Sequence, residues 1–339
     1  MATSRITVAE IARQAGVSRS AASYALRDDP NIAPATRERI KRVAQQLGYR
    51  PDPVLAKLMA HLHVRRGTHY LGKLAFLNPS RDRDFLQRTH ALREFFANAA
   101  VQAGALGYQT EEFWLYESGR SPKRLAQILL NRGINGIVLG STGQPGSIVD
   151  FPWGKFTAVT VGYSVVSPSL NRVVTNHYRN TLLALRHVTE AGYRRIGLVV
   201  DKEEPTMENL HLAAFYVHQR ALPVKQWIPA CVSSGDIGAL RAWFNRYRPD
   251  VILNADMPLQ YLEKAGIRVP QDVALVSLLR WDDQAGIAGV LPGYERLGTS
   301  AINLLASQLH HNETGVPANP HIMLTEGSWI DGESLPVKR

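Results

Sequence analysis

A single cysteine, Cys231, stands among 339 residues, so neither an intrachain disulfide nor a cysteine-ligated zinc cluster can form, as suits a reducing compartment. No stretch reaches the roughly 18 consecutive apolar residues that a membrane span needs. The opening Met-Ala-Thr-Ser-Arg-Ile-Thr also lacks the apolar core of a signal peptide. A cytoplasmic protein is expected. Gly-x-Ser-x-Gly and Gly-x-Gly-x-x-Gly are both missing, which removes the obvious hydrolase and dinucleotide signatures. Gly67-Thr-His-Tyr-Leu-Gly72-Lys73 nearly spells a phosphate-binding loop, but Leu74 stands where a hydroxyl must hold magnesium. His61, His63 and His69 lack an acidic or cysteine partner at ligand spacing, and His310-His311 is no better provided. The carboxylate pairs Glu111-Glu112 and Asp282-Asp283 are adjacent in sequence, and neighbours on a strand point to opposite faces. No catalytic residue, metal or cofactor is expected.

Charge is present and unevenly placed. The formal net charge is +10, and residues 1–66 hold twelve Lys/Arg against five Asp/Glu, leaving the remainder close to neutral. A basic head on a near-neutral body fits a polyanion partner for the head, although charge alone equally fits a solvated basic surface.

Helix signals fill the head. Thr7-Val8-Ala9-Glu10 reads as a capping box, with Val8, Ile11 and Ala12 on one apolar face and Gly16 as the stop. Ser18 caps a second helix over 18–26, burying Ala22, Ala25 and Leu26 while Arg19, Ser20 and Ser23 face outward. Pro34 opens a third, with Ile40, Val43, Ala44 and Leu47 at helical spacing before Gly48. The first two helices, joined across a Gly-containing turn, make a helix-turn-helix.

The run Ile6-Thr-Val-Ala-Glu-Ile-Ala-Arg-Gln-Ala-Gly-Val-Ser18, with Thr36-Arg-Glu-Arg-Ile40 and Leu47-Gly-Tyr-Arg-Pro51, resembles the head of the lactose-repressor (LacI) family of bacterial transcription regulators over residues 6–60. The resemblance implies that the second helix enters the DNA major groove, where Arg19 and Ser20 read base edges; an arginine fork matches guanine O6 and N7. It puts Thr7, Ser18, Arg27 and Asn31 at phosphate or groove-edge positions, and Ser23 and Tyr24 on the same DNA-facing helix. The family's usual Thr-Val-Ser-Arg reads Ala21-Ala22-Ser23-Tyr24 here, so the operator sequence is not legible. Residues 50–60 correspond to the hinge helix, with Leu55, Lys57 and Leu58 in the minor groove and Leu58 as the wedge that opens a base step. By spacing alone, Leu55, Leu58 and Met59 are equally an ordinary apolar helix face; their place after Tyr49-Arg50-Pro51 favours the hinge.

From about residue 70 strands alternate with helices, the pattern of parallel sheets covered on both faces. Strands are read at 71–77, 108–115, 136–139, 157–161, 195–200, 251–253 and 273–278, and helices at 122–132, 179–191, 208–221, 236–246 and 297–310. A long helix carries Phe85, Leu92, Phe96 and Ala103 on one face. Ala191-Gly-Tyr-Arg-Arg-Ile-Gly197, Ala265-Gly-Ile-Arg-Val-Pro-Gln-Asp-Val273 and the stretch 298–332 resemble the family's effector domain, a two-lobed fold like the periplasmic sugar-binding proteins. The expected organisation is a head at 1–49, a hinge helix and linker at 50–69, and an effector and dimerisation core at 70–339. Its lobes are expected at 70–164 with 289–313, and at 165–288 with 314–334. By position the resemblance brings Asn78, Arg81, Asp82, His211, Trp281 and Asp282 to the effector cleft, with His211 where the family carries arginine.

A homodimeric, DNA-binding repressor of a palindromic operator is therefore expected, under a small effector. Because His211 replaces a permanent cation, that effector is expected to be a neutral sugar. The competing reading is a small-molecule-binding or sugar-modifying protein with a basic docking head.

Overall fold

The computed structural model describes residues 8–18, 21–22, 25–26, 32–47, 72–117, 119–200, 209–233, 235–255, 257–280 and 284–338. In the head, α1 (Val8–Ala15) ends at Gly16, whose φ of 64° lets the Val17 N–H return to the Ala12 carbonyl at 3.0 Å. The Ser18 hydroxyl then accepts the Ala21 N–H at 3.1 Å and begins a helical turn through Ala22 and Ala25. Pro34 opens α2 (Pro34–Gln46). Ile11, Ala12, Ala15, Ala22, Ala25, Ile40 and Ala44 form one small core, as the helical spacing demands. Thr7 lies outside the described residues; the Glu10 carboxylate pairs with Arg13 one turn on.

The body is two six-stranded sheets. The first contains β1 (Gly72–Asn78), β2 (Tyr108–Trp114), β3 (Gly136–Leu139), β5 (Thr157–Val161), β7 (Asn171–Thr175) and β13 (Ile322–Thr325), in the order β13-β7-β5-β3-β1-β2 and parallel throughout. The second contains β8 (Ile196–Val200), β9 (Cys231–Val232), β10 (Val251–Asn254), β11 (Ala274–Ser277), β12 (Ala288–Leu291) and β14 (Ser328–Ile330), in the order β14-β12-β11-β10-β8-β9, with only β14 antiparallel. A minor pair, β4 (Ser147–Ile148) with β6 (Val165–Ser167), sits beside the first sheet's loops.

Alternate side chains of each strand serve opposite faces. Leu74, Phe76, Val138 and Val159 pack on α3 (His90–Ala105) and α8 (Tyr294–His310), while Ala75, Leu77, Ile137 and Leu139 pack on α4 (Pro122–Asn131). The second sheet is covered by α5 (His177–Glu190) and α6 (Leu210–Gln219) on one face and by α7 (Ile237–Tyr247) on the other. Among the described residues no helix is long and apolar enough to cross a membrane.

Sheet membership moves the expected lobe boundaries. The chain leaves the first lobe after Thr175 rather than at 164, β12 belongs to the second sheet although residues from 289 were assigned to the first lobe, and β13 returns to the first sheet from within 314–334. The crossings therefore fall at 175–177, 291–294 and 325–328. The strands responsible are only three to five residues long, too short to show a period. The helix expected from Phe85 through Ala103 is two: Phe85–Arg88 stops at an extended Thr89, and α3 buries Leu92, Phe95, Ala99 and Ala103 with Phe96 only half-buried.

Helices α3 and α8 cross so closely that a Cβ at Gly298 would lie 2.4 Å from the Phe95 carbonyl oxygen and 2.8 Å from the Ala99 nitrogen. Gly298→Ala is expected to cost about 1–3 kcal/mol in urea unfolding, because backbone rather than a flexible side chain must yield. Gly104→Ala, on the same α3 with open space around it, is expected to add roughly 0.5–1 kcal/mol.

Candidate nucleic-acid interface and ligand cleft

At the head, the Ser18 cap fixes where the second helix begins, and Arg19 and Ser20 are the next residues in the chain. Ser18 is exposed. Thr7, Arg19, Ser20, Ser23, Tyr24, Arg27, Asn31, Leu55, Lys57 and Leu58 lie outside the described residues.

In the body, the loops that follow the parallel strands meet where the two lobes face one another, as expected of open α/β sheets. After β1, Asn78 is 4% exposed and its Oδ1 accepts the Ser80 N–H at 2.9 Å, while its Nδ2 has no partner among the described residues. Ser80 Oγ accepts the Asp82 N–H and Asp82 Oδ1 accepts the Asp84 N–H, so successive side chains fold the loop. The other Asp82 oxygen pairs with Arg88. Arg81 lies over the Tyr116 ring, 4.4 Å from its centroid. Asn78, Arg81 and Asp82 are thus brought together, with Asp82 already engaged by its own loop.

The loop after β3 supplies hydroxyls that the sequence reading missed. Ser141 Oγ lies 3.0 Å from Ser164 Oγ, Ser164 Oγ accepts the Thr142 N–H at 3.1 Å, and Thr142 Oγ1 lies 2.8 Å from Ser147 Oγ. The signal was Gly140-Ser-Thr-Gly143 directly after a strand. Together with the 80–82 loop it bounds a polar rim of about 450 Å³. A deeper compartment of about 190 Å³ lies between the lobes, with Tyr163, Thr175, Tyr294 and Leu297 from the first and His177 and Leu279 from the second.

His177 is the first residue of α5, which Asn176 caps by accepting the Arg179 N–H at 3.2 Å. Its ring meets that of His211 edge-on at 5.0 Å. His211 is fully buried, with Nδ1 2.8 Å from Thr181 Oγ1, and stands one ring behind the cavity wall. Burial pushes the His177 pKa down to about 4 and pushes His211 the same way, with His177 adding to the effect on His211. Both are neutral at pH 7. Trp281 and Asp282 lie outside the described residues.

Two family models match: bacterial regulatory proteins of the lacI family over residues 7–52, and a periplasmic binding protein-like domain over residues 185–335. The chain therefore carries a lacI-family head and a periplasmic binding protein-like domain. It is a DNA-binding transcriptional regulator. A relative, the HTH-type transcriptional repressor PurR of Actinobacillus pleuropneumoniae serotype 3 (strain JL03), is 20% identical over 335 residues, covering 91% of this chain and 92% of its own. The transcriptional regulator CelR in complex with cellobiose shares the fold at a TM-score of 0.55 and 21% identity, covering 97% of this chain and all of that one. The lac repressor dimer bound to operator and the anti-inducer ONPF does so at 0.55 and 17%, covering 98% and 100%.

The buried histidines set a pH dependence whose sign is fixed. A folded-state pKa below the unfolded one means that the unfolded chain binds more protons, so stability is intact at pH 7 and is lost as pH falls from 6.5 towards about 4. The expected slope is about 1.4 kcal/mol per pH unit for each group. Urea unfolding between pH 7 and pH 5 checks this, and His177→Gln is expected to flatten it by about one proton.

Proposed function

We propose that this lacI-family regulator is a repressor acting as a homodimer on a two-fold-symmetric operator. Arg19 and Ser20 read base edges in the major groove, and Thr7, Ser18, Ser23, Tyr24, Arg27 and Asn31 set the register on the backbone. Leu55, Lys57 and Leu58 engage the minor groove, with Leu58 as the wedge. The observation that carries this reading is the Ser18 cap: the exposed Ser18 accepts the Ala21 N–H and so marks the start of the second helix, and Arg19 follows it directly in the chain. A two-fold operator requires two heads, which is the reason for the dimer.

The effector in this reading is a neutral small molecule with carbohydrate character, held in the cleft by Asn78, Arg81 and Asp82 at the rim, with Trp281 and Asp282 as further contacts. Support comes from the hydroxyls of Ser80, Thr142 and Ser147 at the rim, and from the sugar seen in the CelR complex. His211 acts behind His177 rather than as a direct contact, consistent with its burial. Catalysis forms no part of this role. Domain by domain, the head and hinge at 1–69 bind DNA and the two lobes sense the effector.

Selection of operators from random duplex DNA by the full chain is expected to enrich a palindrome; the absence of any enriched sequence contradicts the reading. Against the selected operator, Arg19→Ala is expected to lose roughly 1–3 kcal/mol per half-site and to relax one symmetric pair of positions. Arg27→Ala is expected to weaken all sequences alike, and Leu58→Ala to reduce bending in a circular-permutation gel.

A further inference from the structure

The cleft is divided. Phe85 lines both the polar rim and the deep compartment, and its ring lies against Gly143, where an added Cβ would come within 2.5 Å of Phe85 Cζ. Beyond this ring the chemistry changes. Aromatic rings of Phe85, Phe95, Tyr163 and Tyr294 surround the deep compartment, and Leu92, Val174 and Leu279 fill the gaps between them. None of its lining side chains, among the described residues, is an aspartate, glutamate, lysine or arginine.

Two buried polar atoms there lack partners among the described residues: Thr175 Oγ1 and His177 Nδ1, on residues 3% and 7% exposed. Ser141 and Ser164, which also line the space, are bonded to one another. Buried polar atoms are ordinarily satisfied, and a side-chain rotation that turns either orphan towards the compartment would give it a ligand's polar group as partner. A hydroxyl suits both, since it donates and accepts and so meets a threonine hydroxyl and either imidazole tautomer. A carboxylate only accepts, and its charge would be buried without a counter-ion. The shape points the same way. The volume of about 190 Å³ exceeds the roughly 150 Å³ of an apolar cavity that takes benzene, and aromatic walls favour a ring through edge and offset contacts. A free sugar ring, with a hydroxyl on most of its carbons, would leave hydroxyls unpaired in so apolar a space.

We propose that the deep compartment binds a neutral aromatic ring carrying a hydroxyl-type group, so that the effector is an aryl-bearing molecule whose hydrophilic remainder lies at the rim. The proposal rests on the reading of this cleft as the effector site. Thr175 and His177 take the ring's polar substituent, and Phe85 stands at the junction of the two halves.

The test is fluorine NMR of the full chain with 4-fluorophenol, fluorobenzene and 4-fluorobenzoate. The phenol is expected to bind saturably and at least fivefold more tightly than fluorobenzene, and the benzoate to show no saturable shift. Leu279→Trp, which fills the compartment, is expected to abolish phenol binding; Thr175→Val is expected to bring the phenol down to the level of fluorobenzene. Benzoate binding as tightly as the phenol, phenol binding that survives Leu279→Trp, or no saturable binding at all overturns the proposal. If a carbohydrate alters operator affinity while 4-fluorophenol does not bind, the aryl assignment falls and the effector cleft stands. If 4-fluorophenol binds as described yet no cleft ligand alters operator affinity, the effector reading falls and the ring site stands.

Discussion

Gly327 is the point on which the two-lobed body turns. It lies in the third crossing, its N–H donates to Asn180 Oδ1 at 2.8 Å, and a Cβ there would lie 2.5 Å from the Leu291 carbonyl oxygen at the second crossing and 2.9 Å from Asn180 Nδ2. Asn180 belongs to α5, the helix that begins immediately after the first crossing. The three passages between the lobes are thus packed against one another with no room for a side chain. Further bonds fasten the bundle: the Asn176 N–H donates to the Thr325 carbonyl at 2.8 Å, and Arg296 Nη2 donates to the Glu326 carbonyl at 2.9 Å. Motion of one lobe against the other must be absorbed in these few residues, which is how hinged domains close on ligands. The Thr175 and His177 orphans lie at the first crossing, so a ligand that satisfies them touches the hinge itself.

Such contact is what regulation requires. A ligand shifts an equilibrium only by binding its two states unequally, and a pair of lobes meeting at one hinge offers two states that differ most in the cleft. The electrostatics of the site support ligands without charge. His177 and His211 are held neutral by burial, Asp82 is committed to its own loop and Arg88, and Arg81 lies on Tyr116. In the compartment between the lobes, where the described lining has no Asp, Glu, Lys or Arg, polar recognition therefore falls to hydroxyls and neutral imidazole.

What the sequence disclosed was local, and what it concealed was long-range. Caps and stops such as Ser18, Gly16 and Pro34 act within a turn, so the head's small core could be read residue by residue. Strands such as Gly136–Leu139 and Thr157–Val161, buried on both faces, show as unbroken apolar runs, and their limits were legible to the residue. Strand β7 was not legible, because Asn171-Arg-Val-Val-Thr175 is short with polar ends, and its place comes from pairing with β5 and β13. With it went the first crossing, and with the crossing Thr175 and His177. His211 was assigned to the cleft by its place in the chain, but position cannot reveal that its imidazole turns inward to Thr181. Asp82 was likewise assigned by position, and only the fold shows its carboxylate occupied by Arg88 and the Asp84 N–H.

If the hinge couples the cleft to the head, the coupling is reciprocal, so operator DNA alone must change how the lobes sit. Single-molecule fluorescence transfer between dyes at Lys123→Cys on α4 and Arg241→Cys on α7 reads that distance directly. Both positions are exposed, while the native Cys231 is buried and its thiol pKa is pushed up to about 11, which keeps it from the label. Saturating operator is expected to shift the interlobe distance distribution, and a cleft ligand that weakens operator binding to shift it back. A distribution identical with and without operator would contradict the account.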